Sequence, residues 1–318
     1  MNPRIHRFDQ FHTSLKTCLA IGNFDGVHCA HQQLINKMLE KARSTGAKSY
    51  ALTFEPHPRT IISPRRNLIL LQSFQRRYEA LLALGLDGVI VADFTPSFSQ
   101  IPPSKFIEKL CSKITLDSVS VGFNFAFGKG AEGNPNTLKS LLIPREVECE
   151  IASTIMMDGV RVSSAFLREE VSRGKVETYL KLTGRYYLVE GTVVEGEKRG
   201  RHLGFPTANL EGFSSLLKFG VYVTLAKLED GNSFPALVNY GSNPTFGDDQ
   251  PKMEAHIPGL QRELYGEKLQ LNFLKLLRPV LQFTSPNALK TQIGKDLIHM
   301  ESVFQENTGN HAHSQFIG

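Results

Sequence analysis

A chain of 318 residues, 41% apolar and 21% charged, has room for two globular domains and is too hydrophobic to stay disordered. No stretch reaches the roughly 18 apolar residues that cross a bilayer, and the opening MNPRIHRFDQFHTSLK lacks the apolar core of a secretory leader, so a cytoplasmic protein with no membrane partner is expected. The 36 basic and 31 acidic residues leave +5, which suits anionic small molecules such as nucleotides, and no dense basic stripe asks for nucleic acid. Cys18, Cys29, Cys111 and Cys149 are scattered without a CxxC pair, which fits reduced thiols and neither a disulfide framework nor structural zinc.

In chain order, residues 17–21 form a short apolar run that reads as a buried strand entering a loop at Gly22. Residues 32–42 then place Leu34, Ile35, Met38 and Leu39 at helical spacing, with Gly46 as the stop. A strand over 49–54 ends at Pro56 and Pro58, and a helix over 74–84 leads into a buried strand at 88–92. A further helix over 104–111 precedes a strand at 118–122. Repeated β-α-β units of this length predict a doubly wound parallel sheet, with ligands beyond the carboxyl ends of the strands, where Gly22, Phe54 and Gly122 fall.

The pattern changes near Gly184. Tyr187, Val189, Gly191 and Val193 alternate with polar residues, as do Val221, Val223 and Leu225, and later Leu269, Leu271 and Phe273. Asp230–Gly231 is a hairpin signal between such runs. An amphipathic helix over about 288–304 follows. These features predict a small antiparallel barrel closed by a C-terminal helix, so an α/β chain with domains at 1–183 and 184–305 and a frayed tail at 306–318.

Two segments carry chemistry. In GNFDGVHCAHQQL, His28 and His31 share one face of the first turn of a helix, beside unpaired N–H groups and the positive end of the dipole. Two imidazoles there can cradle a polyphosphate and stabilise charge building on an α-phosphate as it changes partners. An HxxH pair alone recurs by chance; the glycines at 22 and 26 and the strand-to-helix setting strengthen it. In GEKRGRHLGFPTANL, Gly196, Gly200 and Gly204 permit close approach of backbone to phosphate, and Lys198, Arg199 and Arg201 supply charge. GxxxxGK[ST] is absent, so this is no P-loop. Pro206 fixes the turn presenting Thr207 and Asn209, whose oxygens are of the kind Mg²⁺ accepts alongside substrate phosphates.

GNFDGVHCAH closely resembles the nucleotidyltransferase signature of prokaryotic bifunctional riboflavin kinase/FMN adenylyltransferases, the FAD synthetases. The likeness continues through TFEPHP, VGFNFAFGKG and VSSAFLRE, then GEKRGRHLGFPTAN, VNYGSNPTFG, MEAH and ELYGEKL, almost to residue 305. The resemblance implies that His28 and His31 handle the ATP phosphates, that Asn23 and Asp25 shape their loop, and that Asn124 lies by the flavin and adenylyl groups. It implies a flavin side at Phe54, Pro56, His57 and Pro58, phosphate contacts at Ser164 and Arg168, Mg-ATP at Thr207 and Asn209, and Glu254 as general base. Read without it, residues 56–58 fit a strand end as well as a ligand contact, Arg168 fits a solvated helix charge as well as a phosphate contact, and Glu254 reads as an exposed strand carboxylate. The implied substrates are riboflavin, FMN and ATP, with FAD as product, handled by a monomer or weak homo-oligomer.

The chain departs from the family pattern at Ala30 (glycine), Ala165 (threonine), Phe166 (a basic residue) and Ala126 (a polar residue or arginine). Ile257–Pro258–Gly259–Leu260 stands where an apolar-acidic run is usual, and Pro258 is expected to loosen the strand end. A kinase with a degenerate adenylyltransferase half, and a flavin-binding regulator without turnover, are the alternatives.

Overall fold

The computed structural model describes residues 3–65, 68–196, 199–243 and 248–310. They divide into two compact units, Met1–Phe166 and Leu167–Gly318.

In the first unit, β1 (Ile5–Arg7), β2 (Thr13–Ile21), β3 (Lys48–Glu55), β4 (Gly88–Asp93), β5 (Ile114–Gly122) and β6 (Glu148–Ala152) form one parallel sheet, ordered β1-β4-β3-β2-β5-β6. Helices α1 (Cys29–Thr45), α2 (Pro58–Ile62), α3 (Phe74–Leu82), α4 (Pro103–Lys113) and α5 (Pro135–Leu142) connect them. The continuous apolar runs have a simple cause, since both sheet faces are covered. Cys18 and Ala20 pack with Ile35 and Met38 of α1 and Leu81 of α3, while Leu19 and Ile21 pack with Phe106 and Ile107 of α4 and Leu138 of α5. Each such large apolar side chain contributes roughly 1.5–3 kcal/mol. From β2 the chain moves outward through β3 to β4, then returns to place β5 on the other side of β2, so the direction of winding switches between β2 and β5. A hairpin of β7 (Met156–Met157) and β8 (Val160–Arg161) precedes α6 (Ser164–Ser172). The four strands expected here are present, and β1 and β6 extend the sheet at its edges.

The second unit holds α7 (Val176–Thr183) and a closed antiparallel barrel. Its strands are β9 (Tyr187–Val194), β10 (Thr207–Glu211), β11 (Gly220–Lys227), β12 (Ser233–Asn243), β13 (Asp248–His256) and β14 (Lys268–Arg278), ordered β10-β13-β12-β11-β14-β9. A short helix, α8 (Arg199–Leu203), lies between β9 and β10. Alternate residues fill the barrel, among them Tyr187, Val189, Val193, Tyr222, Leu271 and Phe273. The expected hairpin joins β11 to β12: Gly231 takes φ +89°, and the Asp230 carboxylate accepts the Asn232 N–H at 2.9 Å. The terminal helix, α9 (Pro286–Asn310), starts two residues before 288 and reaches beyond 304; of the tail, residues 311–318 lie outside the described residues. Met300 and Val303 pack on Val221, Val223 and Leu237, and buried Asp296 accepts two hydrogen bonds from Arg278 Nε and one, at 2.7 Å, from its NH2. Pro258 falls in the turn after β13, where Gly259 has φ +80°, so it leaves the strand pairing through His256 intact.

Candidate active sites

The carboxyl ends of β2, β3 and β5 bring Gly22, Phe54 and Gly122 to one edge of the sheet, beside the switch point. The loop from Gly22 to His28 is strained: Phe24 and Val27 have φ of 51° and 42°, and Gly26 has 85°. A β-branched residue at positive φ costs on the order of 1–3 kcal/mol and persists only where surroundings over-determine it. They do so here. The buried Asp25 carboxylate accepts the Leu71 N–H at 3.1 Å, and the Asp25 carbonyl accepts Ser164 Oγ at 2.8 Å. Gln32 Nε2 donates to the Val27 carbonyl at 2.8 Å. The Asn23 carbonyl accepts Thr53 Oγ1 at 3.3 Å and Arg77 NH1 at 3.2 Å.

This loop delivers His28 as the residue preceding α1. Its side chain makes no capping bond, and the first turn holds no acidic residue, so the positive end of the helix is unopposed by its own sequence. His28 and His31 stack with ring centroids 3.7 Å apart and planes 17° from parallel. His28 is 4% exposed and His31 half-buried, and both Nδ1 atoms are enclosed with no hydrogen-bond partner among the described residues. Burial lowers the His28 pKa to about 4. Burial, then the charge of His28, holds His31 well below the ordinary histidine range. At neutral pH the pair is uncharged and offers N–H donors where an anion is favoured.

The remaining residues expected for this half fall as follows. Phe54 is buried among Phe94 and Phe98, at 5.9 and 6.1 Å. Pro56 is exposed; buried His57 accepts the Arg59 N–H on Nδ1 at 3.2 Å, capping α2, whose first residue is Pro58. Asn124 follows β5, its Oδ1 3.4 Å from where a Cβ on Gly122 would stand. Ser164 opens α6; Arg168 lies one helical turn later, within the second unit. Ala30 lies inside α1 with no positive φ, so the methyl meets an ordinary helical backbone. Sequence reasoning missed Arg77 and the Leu71 N–H, and a cation on an amphipathic helix gives no signal to find it by.

On the barrel, strand register assembles the second site. Asn209 of β10 lies opposite Glu254 of β13, Thr207 opposite His256, and Asn239 of β12 opposite Glu254 on its other side. Directly opposed residues share a face, as do residues two apart, so these five side chains form one patch. Their neighbours Leu210, Met253, Ala255 and Val238 are buried, which puts the patch on the outer wall. The glycine loop lies against it: a Cβ on Gly196 would be 2.1 Å from Asn209 Nδ2, and one on Gly200 would be 2.3 Å from the Phe205 carbonyl oxygen. Gly204 takes φ +88°, in the left-handed region. His256 Nδ1 donates to the Pro206 carbonyl at 2.8 Å, beneath the turn that leads into β10. Arg201 is paired with Glu263 at 2.9 Å, and Lys198 lies outside the described residues. Among the described residues no cluster of three or more His, Cys, Asp or Glu could hold a metal. Thr207 and Asn209 oxygens beside a carboxylate suit a hard cation whose other ligands are phosphate and water, which is how Mg²⁺ is ordinarily held.

Each unit thus carries its own cluster of motif residues, one at the start of α1 and one on the barrel wall, in a transferase chain with two domains. The sequence family described as FAD synthetase matches residues 11–166, and that described as riboflavin kinase matches residues 183–304. The chain is 33% identical over 289 residues to the bifunctional riboflavin kinase/FMN adenylyltransferase of Listeria monocytogenes, covering 89% of this chain and 91% of that protein. Its identity to the like-named protein of Pseudomonas fluorescens is 32% over 284 residues, covering 88% of this chain and 91% of that one. The chain belongs to the bifunctional riboflavin kinase/FMN adenylyltransferase family. A crystal structure from Streptococcus pneumoniae, described as a macrolide-efflux protein, superposes with a TM-score of 0.85 at 24% identity, covering 94% of this chain and 99% of that one, and shows a shared fold. No described helix is long and apolar enough to cross a membrane.

Proposed function

We propose that the barrel converts riboflavin and ATP to FMN and ADP, and that the parallel-sheet unit converts FMN and a second ATP to FAD and pyrophosphate. In the first reaction Glu254 accepts the proton of the ribityl 5′-hydroxyl as that oxygen bonds to the γ-phosphorus and the bond to ADP breaks. Its place in the patch, directly opposite Asn209, supports this role. Thr207 and Asn209 are the residues that would hold Mg²⁺, which when bound neutralises charge on the ATP phosphates. Gly196, Gly200 and Gly204 let backbone approach the ATP phosphates, and the positive charge of Lys198 suits the same anion.

In the second reaction an FMN phosphate oxygen bonds to the α-phosphorus of ATP, and the bond to pyrophosphate breaks in line. No covalent enzyme intermediate is needed; holding the reactants aligned suffices. His28 and His31 donate N–H bonds to the phosphate oxygens as negative charge builds, aided by the start of α1. Gly22, Asn23 and Asp25 set the loop, and Ser164 secures it, with Arg168 as a further phosphate contact. Phe54, Pro56, Pro58 and Asn124 receive the flavin, and His57 fixes that segment through its cap. The reading divides the activities at 183/184 and places a monomer or weak homo-oligomer in the cytoplasm.

One observation carries the bifunctional reading over a kinase alone: the stacked, enclosed histidines with unpartnered Nδ1 atoms at the start of α1. Incubation with riboflavin and Mg-ATP, followed by chromatographic separation of flavins over time, should show FMN rising first and FAD following. Accumulation of FMN alone would reduce the function to riboflavin phosphorylation.

A further inference from the structure

Arg77 stands in the middle of α3, in a segment that no expected motif includes. It is 1% exposed, among the largest fully buried side chains. Its guanidinium reaches three acceptors, one on the loop after β2 and two at the end of β3: the Asn23 carbonyl at 3.2 Å, the Phe54 carbonyl at 3.2 Å, and Glu55 Oε2 at 2.5 Å. The Phe74 ring lies 5.4 Å from its Cζ, and its buried Nε has no partner among the described residues.

A buried ion pair is weak evidence for stability, because apolar residues of similar volume often do as well. What Arg77 offers instead is direction. A planar fork can bind divergent carbonyls at once, which neither an apolar side chain nor a single ammonium reproduces. One branch ends on the strained loop that delivers His28, one residue before Phe24 with its positive φ. The other ends on the last two residues of β3. Three residues before α3, Leu71 grips the Asp25 carboxylate of the same loop.

We propose that Arg77 is a positioning residue for adenylyl transfer, acting through the Asn23 carbonyl to hold the loop that places His28 and His31. The proposal rests on the reading of the first unit as the FMN-adenylylating half. Its test uses the full chain, so that riboflavin phosphorylation by the other unit reports in the same sample that the protein is folded. Arg77→Met and Arg77→Lys are compared with Leu81→Ala, which removes buried packing from the same helix and breaks no hydrogen bond to the loop.

Arg77→Met should lower kcat/KM for FAD formation by about tenfold or more, since small misplacements of catalytic groups carry large rate penalties. FMN formation should stay within about twofold, and amide hydrogen exchange across residues 22–28 should quicken. Arg77→Lys, the milder change, should recover part of the loss, and it carries the test if the methionine variant fails to fold. Leu81→Ala should leave exchange at 22–28 unchanged. Equal losses of FAD formation in Arg77→Met and Leu81→Ala, with no change in loop exchange, would overturn the proposal. Should the wild-type chain form no FAD, the adenylyltransferase reading fails, and loop exchange alone decides whether Arg77 holds the loop.

Discussion

The neutral, enclosed state of His28 makes a quantitative demand on acid stability. A histidine with a folded-state pKa of about 4, against 6.5 as the ordinary value, binds its proton more readily in the unfolded chain. Stability from this group is therefore complete above 6.5 and is lost as pH falls through the window down to about 4. Integrating between those two values, the loss from about pH 7.5 to about pH 4.5 is on the order of 2.5 kcal/mol. Carboxylates also titrate there, so the wild-type slope alone does not isolate His28. The comparison with His28→Gln, which cannot titrate, does.

The chain has no tryptophan and two units, so a single spectroscopic melting curve would blur the answer. Urea unfolding read by hydrogen-exchange mass spectrometry on peptides from β2 and α1 resolves the first unit. Wild type should lose about 2.5 kcal/mol more than His28→Gln across that pH range. Identical slopes would mean that His28 is already solvated or charged in the folded protein, and would remove the neutral stacked pair from the mechanism.

Other perturbations separate the two centres. Replacing both His28 and His31 by alanine should abolish FAD formation and leave FMN formation within about twofold; equal loss of both would refute two independent sites. Glu254→Gln keeps the shape but not the base, and should slow riboflavin phosphorylation by about a hundredfold or more while added FMN is still adenylylated. Gly196→Ala puts a methyl 2.1 Å from Asn209 Nδ2, so it should raise the KM for ATP in the kinase assay alone, and an unchanged KM would show the loop lifts away from Asn209 during turnover. Ala165→Thr should speed FAD formation by up to about tenfold if a hydroxyl there meets phosphate, since one hydrogen bond is worth about 0.5–1.5 kcal/mol; no gain would make the position neutral.

Much of the fold was legible because burial leaves a periodic trace. Strands covered on both faces read as apolar runs at Leu19, Ile21, Val89 and Val91, and barrel strands read as alternation at Tyr187, Val189 and Val193. The edges were not legible. Strand β1 is only Ile5–Arg7, and β6 reads Glu-Cys-Glu-Ile-Ala, half-buried and with little apolar signal. The site loops were visible as motifs, yet the groups that hold them were not. Arg77 looks like a solvent-facing charge beside Arg76, and nothing local reveals that α3 turns it under Asn23. Long-range contacts of this kind, 54 residues apart in the chain, leave no local pattern.

The two centres are secured by different physics, and that difference bears on which tolerates change. The patch proposed for the kinase is written into strand register: Thr207, Asn209 and Glu254 fall together because β10 and β13 pair, and a shift by one residue would turn all three inward. Its geometry is therefore as stable as the barrel. The histidine pair depends instead on a loop in sparsely populated backbone conformations, held by contacts that include those from Leu71, Thr53, Arg77, Gln32 and Ser164. Such a loop stays sharp only while every restraint persists. The departures at Ala30 and Ala165 spare those restraints, because neither side chain supplies one and Ser164, next to Ala165, keeps its bond to Asp25. Changes in the restraints, rather than at the family's variable positions, are what should disable adenylyl transfer first.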